Sequence, residues 1–383
     1  LLANLPVTAH AFEHVELMQL SIPFTDISLS LGHWVQDGLL TFFFFKVGLD
    51  LKMEISGGSL SNVKVAAVPI LCAVGGMIMP ALIYSLVIFA YAYFQSAGLP
   101  DFIVYTSGSG VLPVHEALQG WAVPIATDIA FSLAVLSIFA KNLPFTIRIF
   151  LLTLATVDDL LGIIVIAVFF TSIQSLLWIL GVMIFALLWW FAVRAVKVQP
   201  IFLWISAIGA WYCMYELGVH PTLSGVLLGL LTPAHVIHGE YHVRAKQYEQ
   251  IVAPYSAILV LPLFALFATG VHLPSLHLSV LWSPVIMAII LALVLGKPMG
   301  IVFTAWLSTK FTPLSMPKGL RVRDIVPTSV ACGIGFTVSF LIASLAFTSR
   351  VVSDESRIGV LVGSIISAIL AGILLSRQNK YIK

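Results

Sequence analysis

Charge is what this sequence has least of. Only 9% of its 383 residues are Asp, Glu, Lys or Arg, and 60% are hydrophobic; an ordinary soluble domain carries about 25% charged residues. Mean hydropathy is +1.06. That deficit argues against a soluble globular fold. Apolar runs near the roughly 20 residues a spanning helix needs recur from Val63 to Leu375. The short alternating segments of a transmembrane β-barrel are missing, so membrane-spanning helices remain. Cysteine is scarce as well. Cys72, Cys213 and Cys332 lie in apolar runs without paired spacing, which points to packing rather than to a disulfide framework or a metal site. Low-complexity tracts and interdomain linkers are lacking too, so the expectation is one transmembrane domain over 1–383.

What is present reads as an all-α polytopic membrane protein. Apolar stretches predict helices over 34–52, 63–90, 121–140, 147–171, 175–195, 201–217, 220–234, 251–271, 280–309, 325–347 and 356–376. Leu1–Leu5 reads as the tail of a further helix, for twelve in all. Setting aside Lys46 and Lys297, which lie inside apolar helices, 17 of the 19 Lys and Arg remain, and all but Arg350 and Arg357 fall on one side of this topology. The positive-inside rule therefore predicts a cytoplasmic C-terminus, with the 91–120 loop outside. Before the first intact helix, Ile27, Leu29 and Leu31 alternate with Ser28, Ser30 and Gly32. This is a strand pattern, with Ile22–Asp26 as a turn, and it predicts a small extracellular β-hairpin within 14–33. An exposed strand edge invites pairing with a second copy of the chain.

Four ionisable residues lie within the apolar segments: Asp128, the neighbours Asp158 and Asp159, and Lys297. Each costs about 2.5–3.5 kcal/mol at the bilayer centre on insertion scales. Groups this costly are retained where they bind something or relay protons. Two of the helices also look broken. Trp121–Asp128 contains Pro124 and then Thr127–Asp128, and Ala331–Ser339 contains Gly333 and Gly335. Pro removes a backbone hydrogen bond and Gly permits unwound backbone. Unwound backbone at membrane depth is tolerated only where it is buried or lines a cavity. One broken helix in each half of the chain is the sign of inverted repeats with an ion site between them.

The chemistry follows from the residue types. A hard cation such as Na⁺ prefers oxygen ligands. Asp carboxylates supply them, with Thr127, Thr156 and exposed carbonyls able to complete the shell. Burial and a neighbouring carboxylate both favour the protonated form of an acid, so protons and Na⁺ compete for the same oxygens. Alternating access to such a site gives cation–proton antiport. Successive helix residues point about 100° apart, so one of Asp158 and Asp159 faces the ion cavity and the other a neighbour. Lys297 is the deep cation of the second half.

Other polar residues read differently. Lys46, after Phe42–Phe45, is expected to snorkel toward the cytoplasmic interface. Asp37 is expected to be solvated, His220 to be a hydrogen-bonded structural histidine, Asp50 and Glu54 to cap or line the cytoplasmic mouth, and Glu249 to belong to a solvated face. Two enzyme readings fail on motif. The Gly-x-Gly-Asp signature of intramembrane aspartyl proteases is missing, and Gly108-Ser-Gly110 and Leu223-Ser-Gly225 lack the leading Gly of the serine type. A sodium-coupled solute symporter would need a roomier organic-substrate pocket.

Five motifs in order, Ala126-Thr-Asp-Ile-Ala-Phe131, Val157-Asp-Asp-Leu160, Gly218-Val-His-Pro-Thr-Leu-Ser-Gly-Val226, Gly296-Lys-Pro-Met-Gly300 and Cys332-Gly-Ile-Gly-Phe-Thr337, resemble the NhaA-type bacterial sodium–proton antiporters over about 37–375. The resemblance implies a multi-pass transporter of the bacterial inner membrane, with crossed broken helices, that exchanges Na⁺ or Li⁺ for H⁺ electrogenically in pH and sodium homeostasis. It implies no resident cofactor, no enzymatic activity, no nucleic-acid partner, and a homodimer formed through the hairpin. It makes Asp159 the main cation and proton carboxylate, pairs Asp158 with Lys297, and gives Asp128 the balancing of facing half-helix ends. It assigns Asp50, Glu54, Glu249 and His220 to regions tied to the pH response. Met53, Gln250 and Ala253 depart from the family pattern there, and Lys46 stands at a position that is apolar in the family.

Overall fold

A computed structural model describes residues 8–21, 28–61, 63–95, 103–106, 110–140, 144–240, 242–270, 281–317 and 320–381. Leu1–Leu5 and the turn at 22–26 lie outside these. Each of the eleven apolar stretches read from the sequence coincides with helical structure. Among the described residues, five helices are long and apolar enough to cross a membrane, and the number rises to seven if each of two bent pairs counts as one span. Leu223–Leu231 is nine residues long. At 1.5 Å per residue it reaches about 14 Å, too short to cross a bilayer alone.

Two compact units are present, one of residues 1–61 with 163–272 and one of 62–162 with 273–383. In the first, the helix Leu40–Ser56 packs along Leu223–Leu231. The approach is close: a Cβ on Gly48 would come within 2.6 Å of the Val226 carbonyl oxygen. The same unit holds the N-terminal strands. Gln19–Ser21 pairs antiparallel with Ser28–Ser30 in the register Leu20 to Leu29. The other described residues of the 14–33 segment are not strand. His14–Leu17 finishes the helix Ala9–Leu17, and Ser30 caps a helical turn at Leu31–His33 by accepting from the His33 amide. The serine side chain competes with the sheet for the backbone and shortens the strand.

Asp37 is buried rather than solvated. The indoles of Trp34 and Trp211 stack 5.5 Å apart, with Tyr215 stacked on Trp211, and Trp211 Nε1 donates to the Asp37 carbonyl at 3.0 Å. The Asp37 carboxylate lies 3.4 Å from His220 Nε2. A wide π turn over Trp34–Leu39 brings it there.

In the second unit the helix Val63–Gln95 packs against Pro284–Leu291 and Lys297–Phe311. Small residues set the distance: a Cβ on Gly300 would meet the Gly75 carbonyl oxygen at 2.2 Å. Without a hydrophobic drive between helices in lipid, such close backbone contact supplies the packing energy. It fixes the helix that carries Lys297. Ile103–Thr106 and Gly110–Pro113 form a second antiparallel pair, in a segment expected to be loop; the β-branched Ile-Val-Tyr-Thr run was its signal.

Candidate functional site

The first broken helix starts earlier than expected, at Val114 rather than 121. It runs Val114–Ile125, unwinds over 126–128, and resumes as Ile129–Phe139 after a bend of 48°. Its first part tightens into a 3₁₀ helix over Gln119–Ile125, which contains Pro124. The second runs Val322–Ala331, unwinds, and resumes as Phe336–Ala346 after a bend of 59°. The two unwound stretches touch directly, since the Asp128 amide donates to the Ile334 carbonyl at 2.7 Å.

Breaking two helices at membrane depth creates four helix ends that water cannot satisfy. Both N-terminal ends meet one carboxylate. Asp128 caps Ile129–Phe139 by accepting from the Phe131 amide at 3.2 Å. Its other oxygen accepts from the Thr337 amide at 3.3 Å and the Thr337 hydroxyl at 2.9 Å, at the start of Phe336–Ala346. Two positive dipole ends thus face one negative side chain. The C-terminal ends are met by donors. Thr127 Oγ1 donates to the Cys332 carbonyl at 3.0 Å, and Ser132 Oγ to the Ala331 carbonyl at 2.8 Å. The Lys297 ammonium donates to the Ile125 carbonyl.

Lys297 also donates to Asp158 Oδ2 at 2.7 Å, and both side chains are completely buried. The ammonium therefore answers a carboxylate and a helix C-terminus at once. Asp158 Oδ1 has no hydrogen-bond partner among the described residues. Asp159, one residue on in the helix Phe145–Phe169, is buried as well. Thr156 Oγ1 donates back to the Leu152 carbonyl at 2.7 Å, leaving its lone pairs as acceptors. Lys297 follows a π turn over Ala292–Gly296, where Pro298 withholds the amide that would have continued the α-helical ladder.

Gly333 and Gly335 do not have positive φ; among the described residues that geometry is confined to Gly218, His238 and Gly239. They are needed for space. A Cβ on Gly333 would come within 2.6 Å of both the Leu293 carbonyl oxygen and Ser367 Oγ, and one on Gly335 within 2.4 Å of Ser339 Oγ.

The residues expected to respond to pH lie elsewhere, in the other unit. Asp50 pairs with Lys46 one turn away at 2.6 Å, each about one-third exposed. Glu249 pairs with Lys246 at 2.7 Å, and Glu54 sits in the last turn of Leu40–Ser56. His220 is buried, with Nδ1 2.7 Å from Thr222 Oγ1. Sequence reasoning missed Thr337, Ser132 and the Ile125 carbonyl. Thr337 and Ser132 had a legible signal, as hydroxyl residues within the first turns after each break.

Comparison with known proteins finds a matching family and relatives along nearly the whole chain. The family model described as Na⁺/H⁺ antiporter 1 matches residues 1–375. The chain is 57% identical over 379 residues to the Na⁺/H⁺ antiporter NhaA of Bifidobacterium breve, covering 99% of this chain and 82% of that one. It is equally identical to NhaA of Bifidobacterium longum, covering 99% and 80%. It is 38% identical to NhaA 3 of Streptomyces coelicolor, covering 98% and 75%. The chain belongs to the NhaA-type Na⁺/H⁺ antiporter family, integral membrane proteins that exchange Na⁺ for H⁺ by secondary active transport.

Proposed function

We propose that this antiporter exchanges Na⁺ and Li⁺ for H⁺ at Asp158 and Asp159, where cation and protons compete for the same carboxylate oxygens. The observation that supports this best is the pairing of every broken-helix end with a specific group, which leaves carboxylate oxygen as the uncommitted acceptor at Asp158. Asp159 is the exchange carboxylate in this reading, and Asp158 is held by Lys297. Asp128 holds the facing half-helix ends, and Thr127 and Thr156 lend oxygen. Lys297 already neutralises one carboxylate, so exchange of one Na⁺ for more than one proton leaves net charge to move and makes the cycle electrogenic. The protein itself needs no resident metal or cofactor; Na⁺ is cargo.

The same reading places the antiporter in the bacterial cell (inner) membrane as a single twelve-helix, inverted-repeat domain with a cytoplasmic C-terminus, working by alternating access in pH and sodium homeostasis. Strands Gln19–Ser21 and Ser28–Ser30 leave unpaired edges and are the proposed contact of a homodimer. Asp50, Glu54, Glu249 and His220 are proposed to modulate the pH response. The test is an everted-vesicle or proteoliposome assay with Na⁺, Li⁺ and K⁺. Na⁺ and Li⁺ are expected to dissipate an imposed proton gradient. No response to either between about pH 6.5 and 9 overturns the reading.

A further inference from the structure

A polar cavity of about 350 Å³ lies at the far ends of the two half-helices Val114–Ile125 and Phe336–Ala346. Its lining includes Glu116 and Gln119 from the first, and Phe347, Thr348 and Ser349 just beyond the second. These two half-helices are the ones whose other ends close on the central contacts, through Ile125 with Lys297 and Thr337 with Asp128. The cavity is thus joined to the central contacts by two short helical segments. Its chemistry is that of a cation site. Residues bearing a carboxylate, a carboxamide and two hydroxyls line one space, and each offers a hard oxygen donor. The imidazole of His115 stands next to Glu116, with Nε2 3.9 Å from Oε1. Among the described residues, no Lys or Arg lines the cavity.

We propose that this cavity is a weak alkali-cation site, built on Glu116, through which Na⁺ passes at the external mouth of the antiporter. A carboxylate in a recessed cleft raises the local concentration of counter-ions, and Gln119, Thr348 and Ser349 supply oxygens to replace part of a hydration shell. The half-exposed position of Glu116 makes it a site of passage, from which the ion leaves readily. Its external location rests on the orientation proposed above.

The full-length antiporter, reconstituted in proteoliposomes, provides the test. A Thr348→Cys variant treated with a membrane-impermeant maleimide identifies the side on which the cavity opens. Transport is then measured with Na⁺ presented to one face at a time. Glu116→Gln is expected to raise the apparent KM for Na⁺ roughly threefold to tenfold at the cavity face, with no such shift at the opposite face. Glu116→Asp is expected to restore it. The shift should shrink as choline chloride is added, because screening removes the attraction. An unchanged KM at the cavity face overturns the proposal, as does an equal shift at both faces, which marks a purely structural role. Labelling from the cytoplasmic side overturns the orientation. Loss of Na⁺-dependent exchange in the wild-type protein would instead count against the transport reading.

Discussion

Lys297 offers the sharpest energetic test because it serves two partners. At 2.7 Å from Asp158 Oδ2, its gross Coulomb attraction is about 6 kcal/mol at an effective dielectric of 20. Desolvation of two fully buried ions offsets most of that. Breaking the pair is a different matter. Lys297→Ala leaves the Asp158 carboxylate buried and uncompensated, which costs about 3–5 kcal/mol, and strips the Ile125 carbonyl of its donor, for about 1–3 kcal/mol more. Asp158→Asn is milder, since the amide oxygen still accepts from the ammonium. The decisive protein is the double variant Lys297→Ala with Asp158→Asn. It removes the stranded charge, so it is expected to be more stable than Lys297→Ala alone, although it has one more substitution. Thermal unfolding of the four purified proteins in one detergent at one pH reads the order directly. If the double variant is no more stable than Lys297→Ala, or if the two effects add within about 0.5 kcal/mol, the two residues do not share an interaction and the pairing is wrong.

Four further outcomes are expected. Asp159→Asn abolishes exchange while the protein still elutes as a folded species; full transport by that variant removes Asp159 from the site. Asp128→Ala loses a cap and a charge shared by two half-helices, and is expected to cost about 2 kcal/mol or more; an unshifted Tm refutes the bridging role. Gly218→Ala is expected to cost more than about 2 kcal/mol, since Gly218 has a φ of +82° and its Cβ would meet the Ser172 carbonyl oxygen at 1.9 Å; a wild-type Tm would contradict it. Glu240 accepts from Arg244, and that hydrogen bond holds its carboxyl below the ordinary 4.5. Its contribution is therefore complete above about pH 4.5 and is lost as pH falls through the lower folded value. Protease cleavage within 234–243 should be flat from pH 8 to about 5 and rise below that; a rise between pH 8 and 6 would implicate a different group.

The sequence was most legible where its chemistry was costly. Asp128, Asp158, Asp159 and Lys297 stood out because charge in an apolar run has few structural excuses. The breaks were legible because Pro124, Gly333 and Gly335 punctuate otherwise continuous apolar runs. What those glycines do was not. They looked like residues chosen for unusual backbone angles, yet they admit neighbouring atoms, a property of the packed partner and invisible along the chain. Asp37 was misjudged for a similar reason. Its position near a helix end suggested water, but Trp34, Trp211 and His220, two of them more than 170 residues away, enclose it. Among the described residues the 14–33 alternation forms three residues of each strand, and it ends at Ser30 because that serine could cap a helical turn as readily as continue a ladder.

The contacts around the two breaks explain why a lysine should sit beside the proposed sodium site. An unwound helix pair presents two positive and two negative ends. Asp128 answers both positive ends with a single charge. Thr127 and Ser132 answer one negative end with neutral hydroxyls, and the other falls to Lys297. The Lys297 ammonium lies 2.7 Å from Asp158 Oδ2, which leaves its neighbour Asp159 as the other carboxylate of the pair. In the proposed exchange Asp159 takes either a proton or a cation. Replacing Lys297 by a neutral residue should therefore change how many protons the carboxylate pair holds. Charge moved per Na⁺ measures this directly. A ratio identical to wild type in Lys297→Gln would mean that the ammonium props up the helix end at Ile125 and takes no part in setting the stoichiometry.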